Sequence, residues 1–372
     1  MPSCYIEINR DALRHNFREI QKLVGDETRI IAVVKSNAYG HGIVEASRVF
    51  AQEGAQMLAV TRLEEAIELR DANITTPILL LTPPLPDQES EAVARDLTCC
   101  VSCLDDARRL SNAAERTEHR VLVQLKINSG MGRLGVEPED ALRVATEIMA
   151  LPNVELGTAW THFASAGEKN RVLCNLEFAR FGNAIAALVE HTSIRQFHCA
   201  NSGATLRFPD VHLGCVRPGT VLYGQFPSDE AKQAAQGKIA LRDAFKVCAR
   251  VLAIRDVRAG ESVGYGGEWR ASQQTRVATI GVGWADGLTL APDARTPDAR
   301  RSLVSAFKSI VRKPQRYVIW NNQRAPILGR VAMQQTSVDV SQLPNITVGD
   351  VVVVPMRRLS ANSLLPRVYV DD

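Results

Sequence analysis

No stretch of the 372 residues approaches the ~20 consecutive apolar positions that a membrane-crossing helix requires. The first ten residues, Met-Pro-Ser-Cys-Tyr-Ile-Glu-Ile-Asn-Arg, lack the apolar core of a secretion signal. There is no basic footprint either: the formal net charge is only +3 and the Lys and Arg residues are scattered, which argues against a nucleic-acid partner. Cys99, Cys100 and Cys103 include a C-x-x-C spacing, yet no second cysteine pair stands at zinc-site distance and no histidine cluster follows. These gaps predict a cytoplasmic protein with no bound metal and no membrane or nucleic-acid partner. Thr98–Cys103 then reads as a buried strand in which free Cys acts as a small hydrophobe.

What is present is a globular composition, 45% hydrophobic and 23% charged, in a chain longer than one usual domain. Tyr5-Ile-Glu-Ile alternates like a half-buried strand, and a helix capped near Asn9 or Asp11 carries Leu13, Phe17, Ile20 and Leu23 on one stripe. From Arg29 onward, apolar β-branched runs at 30–34, 57–60, 77–81, 98–102, 121–127, 154–160, 196–200 and 214–217 alternate with helical segments at 43–53, 62–71, 88–95, 104–115, 138–150 and 171–191. Eight strands separated by helices predict a (β/α)8 barrel of the TIM type, with a doubly wound open sheet as the alternative. The barrel is favoured because polar signals follow many different strands and not one switch point. Residues 225–240 form a polar boundary segment. Beyond it, short alternating runs at 246–255, 275–281, 316–320, 325–333 and 350–354 predict a mainly-β second domain, with 292–314 a solvated insertion holding a short helix at 300–310. The expected domains are therefore 1–235, with residues 1–10 pairing with the second domain, and 236–372.

Chemistry concentrates at strand ends. Arg29–Val34 stops abruptly at Lys35, followed by Ser-Asn-Ala-Tyr-Gly-His-Gly. A lysine at the C-terminal end of a buried barrel strand stands where such folds keep their reactive groups, and burial lowers an ammonium pKa toward nucleophilic use. Read alone, it also suits a snorkelling surface lysine. Gly130-x-Gly132-x-x-Gly135 formally matches a dinucleotide fingerprint, with Glu155 downstream, but it follows the fifth barrel strand and not the first. His162 closes another strand, where an imidazole is as often a hydrogen-bonded core group as a ligand contact. Asn201-Ser202 opens a short helix, suited to a phosphate or to an ordinary N-cap.

Val33–Gly42, Lys126–Val136, Thr161–Ala166, Ala200–Ala204, Val216–Gly224, Ser262–Trp269 and Gly329–Thr336 resemble, in order and over nearly the whole chain, the segments of the alanine racemase family. The resemblance implies pyridoxal 5'-phosphate held covalently by Lys35, with Tyr39, Asn201, Ser202 and Gly219 on the phosphate side. It places Arg133 on the phenolic oxygen, beside a Lys126 that is often carbamylated, and His162 facing the cofactor. Arg217 would meet the pyridine nitrogen; because arginine keeps its proton, the ring stays unprotonated and side reactions are suppressed. Tyr265 is implied as the second base, entering from the partner subunit of a homodimer with shared active sites. The Met333 amide would bind the substrate carboxylate.

The departures gather on the substrate side. Trp284 replaces a tyrosine at the entrance, Leu290 an arginine, Gln334 an aspartate, and Ser363 stands nearest to a tyrosine expected before Pro366. The family default is alanine. Serine or another small amino acid is the variant reading, a cofactor-binding relative with little turnover a further one, and a nucleotide-binding oxidoreductase the reading from another class. A decarboxylase of the same fold is disfavoured by the absence of its glycine-triplet phosphate loop and Cys-Asp motif.

Overall fold

A computed structural model describes residues 1–290 and 316–372 and divides into two compact units. The helix anticipated at 300–310 lies outside the described residues. The first strand, β1 (Cys4–Asn9), belongs with the later part of the chain.

The larger unit is Arg10–Ala244 with Asp371–Asp372. Its strands are β2 (Arg29–Val33), β3 (Met57–Val60), β4 (Ile78–Leu80), β5 (Thr98–Val101), β6 (Val121–Lys126), β7 (Val154–Trp160), β8 (Gln196–Asn201) and β9 (Cys215–Arg217). All pair in parallel, and β9 returns to β2 through Arg29↔Cys215 and Ile30↔Val216, so the sheet is a closed barrel and not an open one. β2 to β5 read as nearly unbroken apolar runs because they are covered on both faces: Ile31, Leu58, Leu79, Cys99 and Cys100 have essentially no exposed surface. Outer helices include Ile43–Gln52, Leu63–Asp71, Leu104–Thr117 and Val172–His191. The last of these, with mean hydropathy 1.3 over its most apolar window, is long and apolar enough to cross a membrane, contrary to the expectation of no such segment. Here it packs Cys174, Glu177, Phe181, Ala184 and Leu188 inward as an outer helix of the barrel. The unit extends past the expected limit at 235. Asn16 accepts from Arg242 N (2.8 Å) and donates to the Arg242 and Leu222 carbonyls, while Glu19 accepts from Ala240 N (2.7 Å), tying 236–244 to the first helix.

The second unit is Met1–Asn9 with Phe245–Val370. Its remaining strands are β10 (Phe245–Val257), β11 (Ser262–Val263), β12 (Trp269–Arg270), β13 (Thr275–Ile280), β14 (Tyr317–Trp320), β15 (Gln323–Leu328), β16 (Thr336–Asp339), β17 (Val351–Val354) and β18 (Arg367–Val370). The main sheet runs β13-β16-β15-β14-β17-β10-β1-β18. β1 pairs antiparallel with β10 and parallel with β18. The run anticipated at 325–333 stops at Leu328, because Gly329 turns out of the strand at φ +61. All eight cysteines are free thiols, and seven of them are buried or half-buried.

Candidate active site

The end of β2 leaves the barrel through an unusual backbone. Ser36, Asn37, Ala38 and Tyr39 all have φ between 51 and 55°, a full left-handed turn made without glycine. Each such residue costs about 1–2 kcal/mol, so the turn persists only where its surroundings hold it. Glu65, on the helix Leu63–Asp71, supplies much of that hold. Its Oε1 accepts from the Ser36 and Asn37 amides and its Oε2 from those of Thr61 and Arg62. Asn37 Oδ1 then takes the Ile43 amide at 2.7 Å, Gly40 closes the turn at φ +91, and the Tyr223 hydroxyl donates to Val33 O at 3.0 Å.

The turn presents Lys35 and Tyr39 to a cavity of about 230 Å3 at the C-terminal ends of the strands, which His162, Asn201, Ser202, Arg217 and Gly219 also line. A larger hollow of about 440 Å3, bordered by Glu27, Arg29 and Gln196, lies at the opposite, N-terminal ends, where barrels do not keep their chemistry. Lys35 is half-buried, and burial, then the charge of Arg133, lowers its amine below the ordinary lysine value, with Glu65 opposing.

Arg217 is 3% exposed and anchors the floor. Burial lowers its guanidinium to about 10, so it stays protonated at neutral pH. It donates to the Thr161 carbonyl at 2.6 Å and to His198 Nδ1. Arginine can only donate, so His198 carries its proton on Nε2 and passes it to Gln124 Oε1 at 2.9 Å. His162 Nδ1 lies 3.4 Å from the same guanidinium. Burial, then Arg217 and the other nearby cations, lowers His162 to about 3, a neutral imidazole under all ordinary conditions.

Lys126, at the end of β6, is only 6% exposed, and burial lowers its pKa too. Its Nζ lies 4.6 Å from the Trp160 ring centroid, and the Arg217 guanidinium carbon lies 4.7 Å from the same centroid. Trp160 Nε1 is buried with no partner among the described residues. Arg133 is exposed and does not line the cavity, yet its charge acts on Lys35, Lys126 and His162. Four cations, Lys35, Lys126, Arg133 and Arg217, thus face one another, with Glu65 the one carboxylate acting on Lys35 among the described residues.

Asn201 is an N-cap: its Oδ1 accepts from Gly203 N and Ala204 N, each at 3.1 Å. Those two amides, expected to cradle a phosphate, are thereby occupied. Gly219 N likewise donates to Ser202 Oγ at 2.8 Å, which leaves the serine hydroxyl hydrogen to donate outward. A Cβ at Gly219 would meet the Tyr39 hydroxyl at 2.4 Å, so the phenol rests directly on bare backbone. Near the Arg133 loop, Thr161 Oγ1 donates to Ile127 O (2.8 Å), so Ser129 must donate to Thr161 (2.7 Å).

Tyr265 and Met333 belong to the other unit, where they are 67% and 57% exposed. Glu268 pairs with Arg330, and the Gly283–Ala285 turn takes the Ala332 and Met333 carbonyls, each at 3.0 Å. Tyr265, Trp284 and Met333 therefore lie on neighbouring loops at one end of that unit. Sequence reasoning missed Glu65, Trp160, His198 and Gln124. A glutamate at the third position of a helix start, and polar residues inside buried strands, were the available signals.

Comparison with known proteins agrees with this geometry. Residues 8–227 match the family model described as the alanine racemase N-terminal domain, and residues 244–365 that of its C-terminal domain. An alanine racemase of Desulforamulus reducens is 38% identical over 354 residues, covering 94% of this chain and 89% of that protein. One of Desulfovibrio desulfuricans is 37% identical, covering 94% and 88%. Among solved structures, an alanine racemase of Clostridium difficile 630 superposes with a TM-score of 0.88 at 27% identity, covering 100% of this chain and 97% of its own. The same enzyme in complex with cycloserine gives a TM-score of 0.86 at 26% identity, covering 100% and 96%. The chain belongs to the alanine racemase family.

Proposed function

We propose that this protein interconverts L- and D-alanine, using pyridoxal 5'-phosphate held on Lys35. The observation that carries the reading is the Lys35 amine at the rim of a closed barrel, facing a cavity floored by a buried, protonated arginine. The residues fit an anionic cofactor: four cations converge with little opposing negative charge, and a cradle at Gly219 has no room for a side chain. Arg217 would face the ring nitrogen, Arg133 the phenolic oxygen, and Tyr39, Ser202 and the backbone after Gly219 the phosphate. When bound, the cofactor withdraws electrons and so acidifies the substrate's α-proton.

The chain's own residues supply the proton traffic. The Lys35 amine, lowered by burial, removes or returns the α-proton on one face of the substrate carbon. The Tyr265 phenol serves the other face. Two bases on opposite sides give inversion, whereas one base would return the proton to the face it left. Arg217, with a pKa near 10, keeps its proton and holds its partner through hydrogen bonds alone. The Met333 amide is proposed to bind the substrate carboxylate. Lys126, buried and lowered toward the neutral amine, suits carbamylation by carbon dioxide, and the new anion would answer Arg133 and the orphaned Trp160 N–H.

Exposure of Tyr265 and Met333 on the β-rich unit supports a homodimer in which each barrel is completed by the partner copy.

The test is turnover of purified protein with added pyridoxal phosphate, L-alanine and chiral analysis, beside Lys35→Ala. D-Alanine formation by the parent, absent in Lys35→Ala, supports the proposal. No racemisation of alanine, with cofactor demonstrably bound, overturns it.

A further inference from the structure

We propose that Glu65 is a positioning residue for the reacting amine, its carboxylate locking the left-handed turn that aims Lys35 and Tyr39 into the barrel mouth. The inference rests on Lys35 being the group that reacts.

Four backbone amides from two loops converge on this one side chain. Oε2 closes the N-terminus of its own helix through Thr61 N and Arg62 N, each at 3.3 Å. Oε1 reaches the exit of the preceding strand, β2, and takes Ser36 N and Asn37 N, the first two amides after Lys35. Left-handed backbone disperses quickly unless its N–H groups are held, and these are the two that begin it. Glu65 also faces Lys35 electrostatically. The charges acting on that amine are Arg133 from the loop after β6 and Glu65 from the helix Leu63–Asp71. Glu65 alone among them is negative. One carboxylate therefore both holds the turn that aims the amine and opposes the lowering of its pKa by burial and Arg133.

The chemistry of the substitution is sharp. A glutamine has one oxygen, so either orientation of its amide points NH2 at two backbone donors. Aspartate keeps the charge but withdraws it by about 1.5 Å. Two measurements separate positioning from mere stability. The first is acylation of Lys35 in cofactor-free protein across pH, read on the Lys35 peptide by mass spectrometry. The second is kcat and KM for racemisation with saturating pyridoxal phosphate. Glu65→Gln should lower kcat about 100-fold, the usual consequence of a displacement near 1 Å at a reacting atom. Its Lys35 titration midpoint should also move to lower pH, since the one negative neighbour is gone. Glu65→Asp should restore the midpoint while kcat stays at least tenfold down. Glu64→Gln, on the exposed side of the same helix, should match the parent throughout.

A parental kcat and midpoint in folded Glu65→Gln overturn the proposal. Should that variant not fold, Glu65→Asp decides: a tenfold or greater loss of kcat at the parental midpoint supports it, and parental kcat overturns it. If the parent itself fails to racemise while Lys35 labelling still shifts in Glu65→Gln, the reaction assignment fails and the link between Glu65 and Lys35 stands.

Discussion

Gly219→Ala isolates the contact between a phenol and bare backbone. The added Cβ would stand 2.4 Å from the Tyr39 hydroxyl and 3.0 Å from its ring carbon Cζ. The φ at this position, −123°, lies outside the left-handed region that favours glycine. The close contact falls on Tyr39, whose oxygen must withdraw by roughly 1 Å to reach van der Waals contact. It cannot swing far, for its ring packs 5.0 Å from that of the fully buried Tyr223, and its backbone belongs to the left-handed turn. A 1 Å misplacement is worth about 100-fold, or roughly 2.7 kcal/mol, in a positioned contact. The expected result is a 10- to 100-fold weaker Kd for pyridoxal phosphate, read by absorbance titration, with a thermal midpoint within a few degrees of the parent. The thermal comparison separates a local clash at the cofactor site from loss of the fold. The second arm is Tyr39→Phe. Removing the hydroxyl removes the worst overlap, so Gly219→Ala should cost much less in the Tyr39→Phe background than in the parent, and the double-mutant cycle should show strong coupling. Additive losses, or a parental Kd in Gly219→Ala, refute the reasoning.

Tyr265→Phe should lower racemisation about 10²–10⁴-fold, the span of a lost general acid or base, while the visible absorbance of lysine-bound cofactor is unchanged; a parental rate places the second base elsewhere. Acid stability provides a separate check on His162, which burial and then Arg217 hold at about 3 against an unfolded value near 6.5. Below pH 6.5 the unfolded chain takes up a proton that the folded one refuses, so stability falls by up to about 1.4 kcal/mol per pH unit as pH drops toward 3. Urea unfolding of the cofactor-free protein at pH 4.5, 5.5 and 6.5 should show a shallower decline in His162→Gln than in the parent, and equal declines would mean that the folded imidazole titrates normally.

Legibility in the sequence followed burial. The eight barrel strands were readable to within a residue or two because parallel strands sealed on both sides tend to be continuous apolar runs, as Ile30–Val33 and Ile78–Leu80 are. β16 and β18 were not, because Thr336–Asp339 and Arg367–Val370 are short, half-exposed and mixed in character. Within the site, Lys35 stood out as a charge at the end of a buried strand, and Arg217 only through the resemblance of its segment. The Asn201 segment was ambiguous between cap and phosphate cradle, and the coordinates resolve two of its amides as cap donors. Glu65 was invisible for a different reason. Its meaning lies in amides 28 and 29 residues away, brought within reach only by the fold.

The pairing of β1 with β10 and β18 has a consequence for biogenesis. Residues 4–9 leave the ribosome before the barrel residues 10–244, whereas their sheet neighbours, residues 245–257 and 367–370, follow them. At about 5–20 residues per second, that opening strand waits tens of seconds while the barrel residues 10–244 emerge and fold. A half-apolar strand with both edges unsatisfied for that interval is open to pairing with other strands until β10 and β18 arrive.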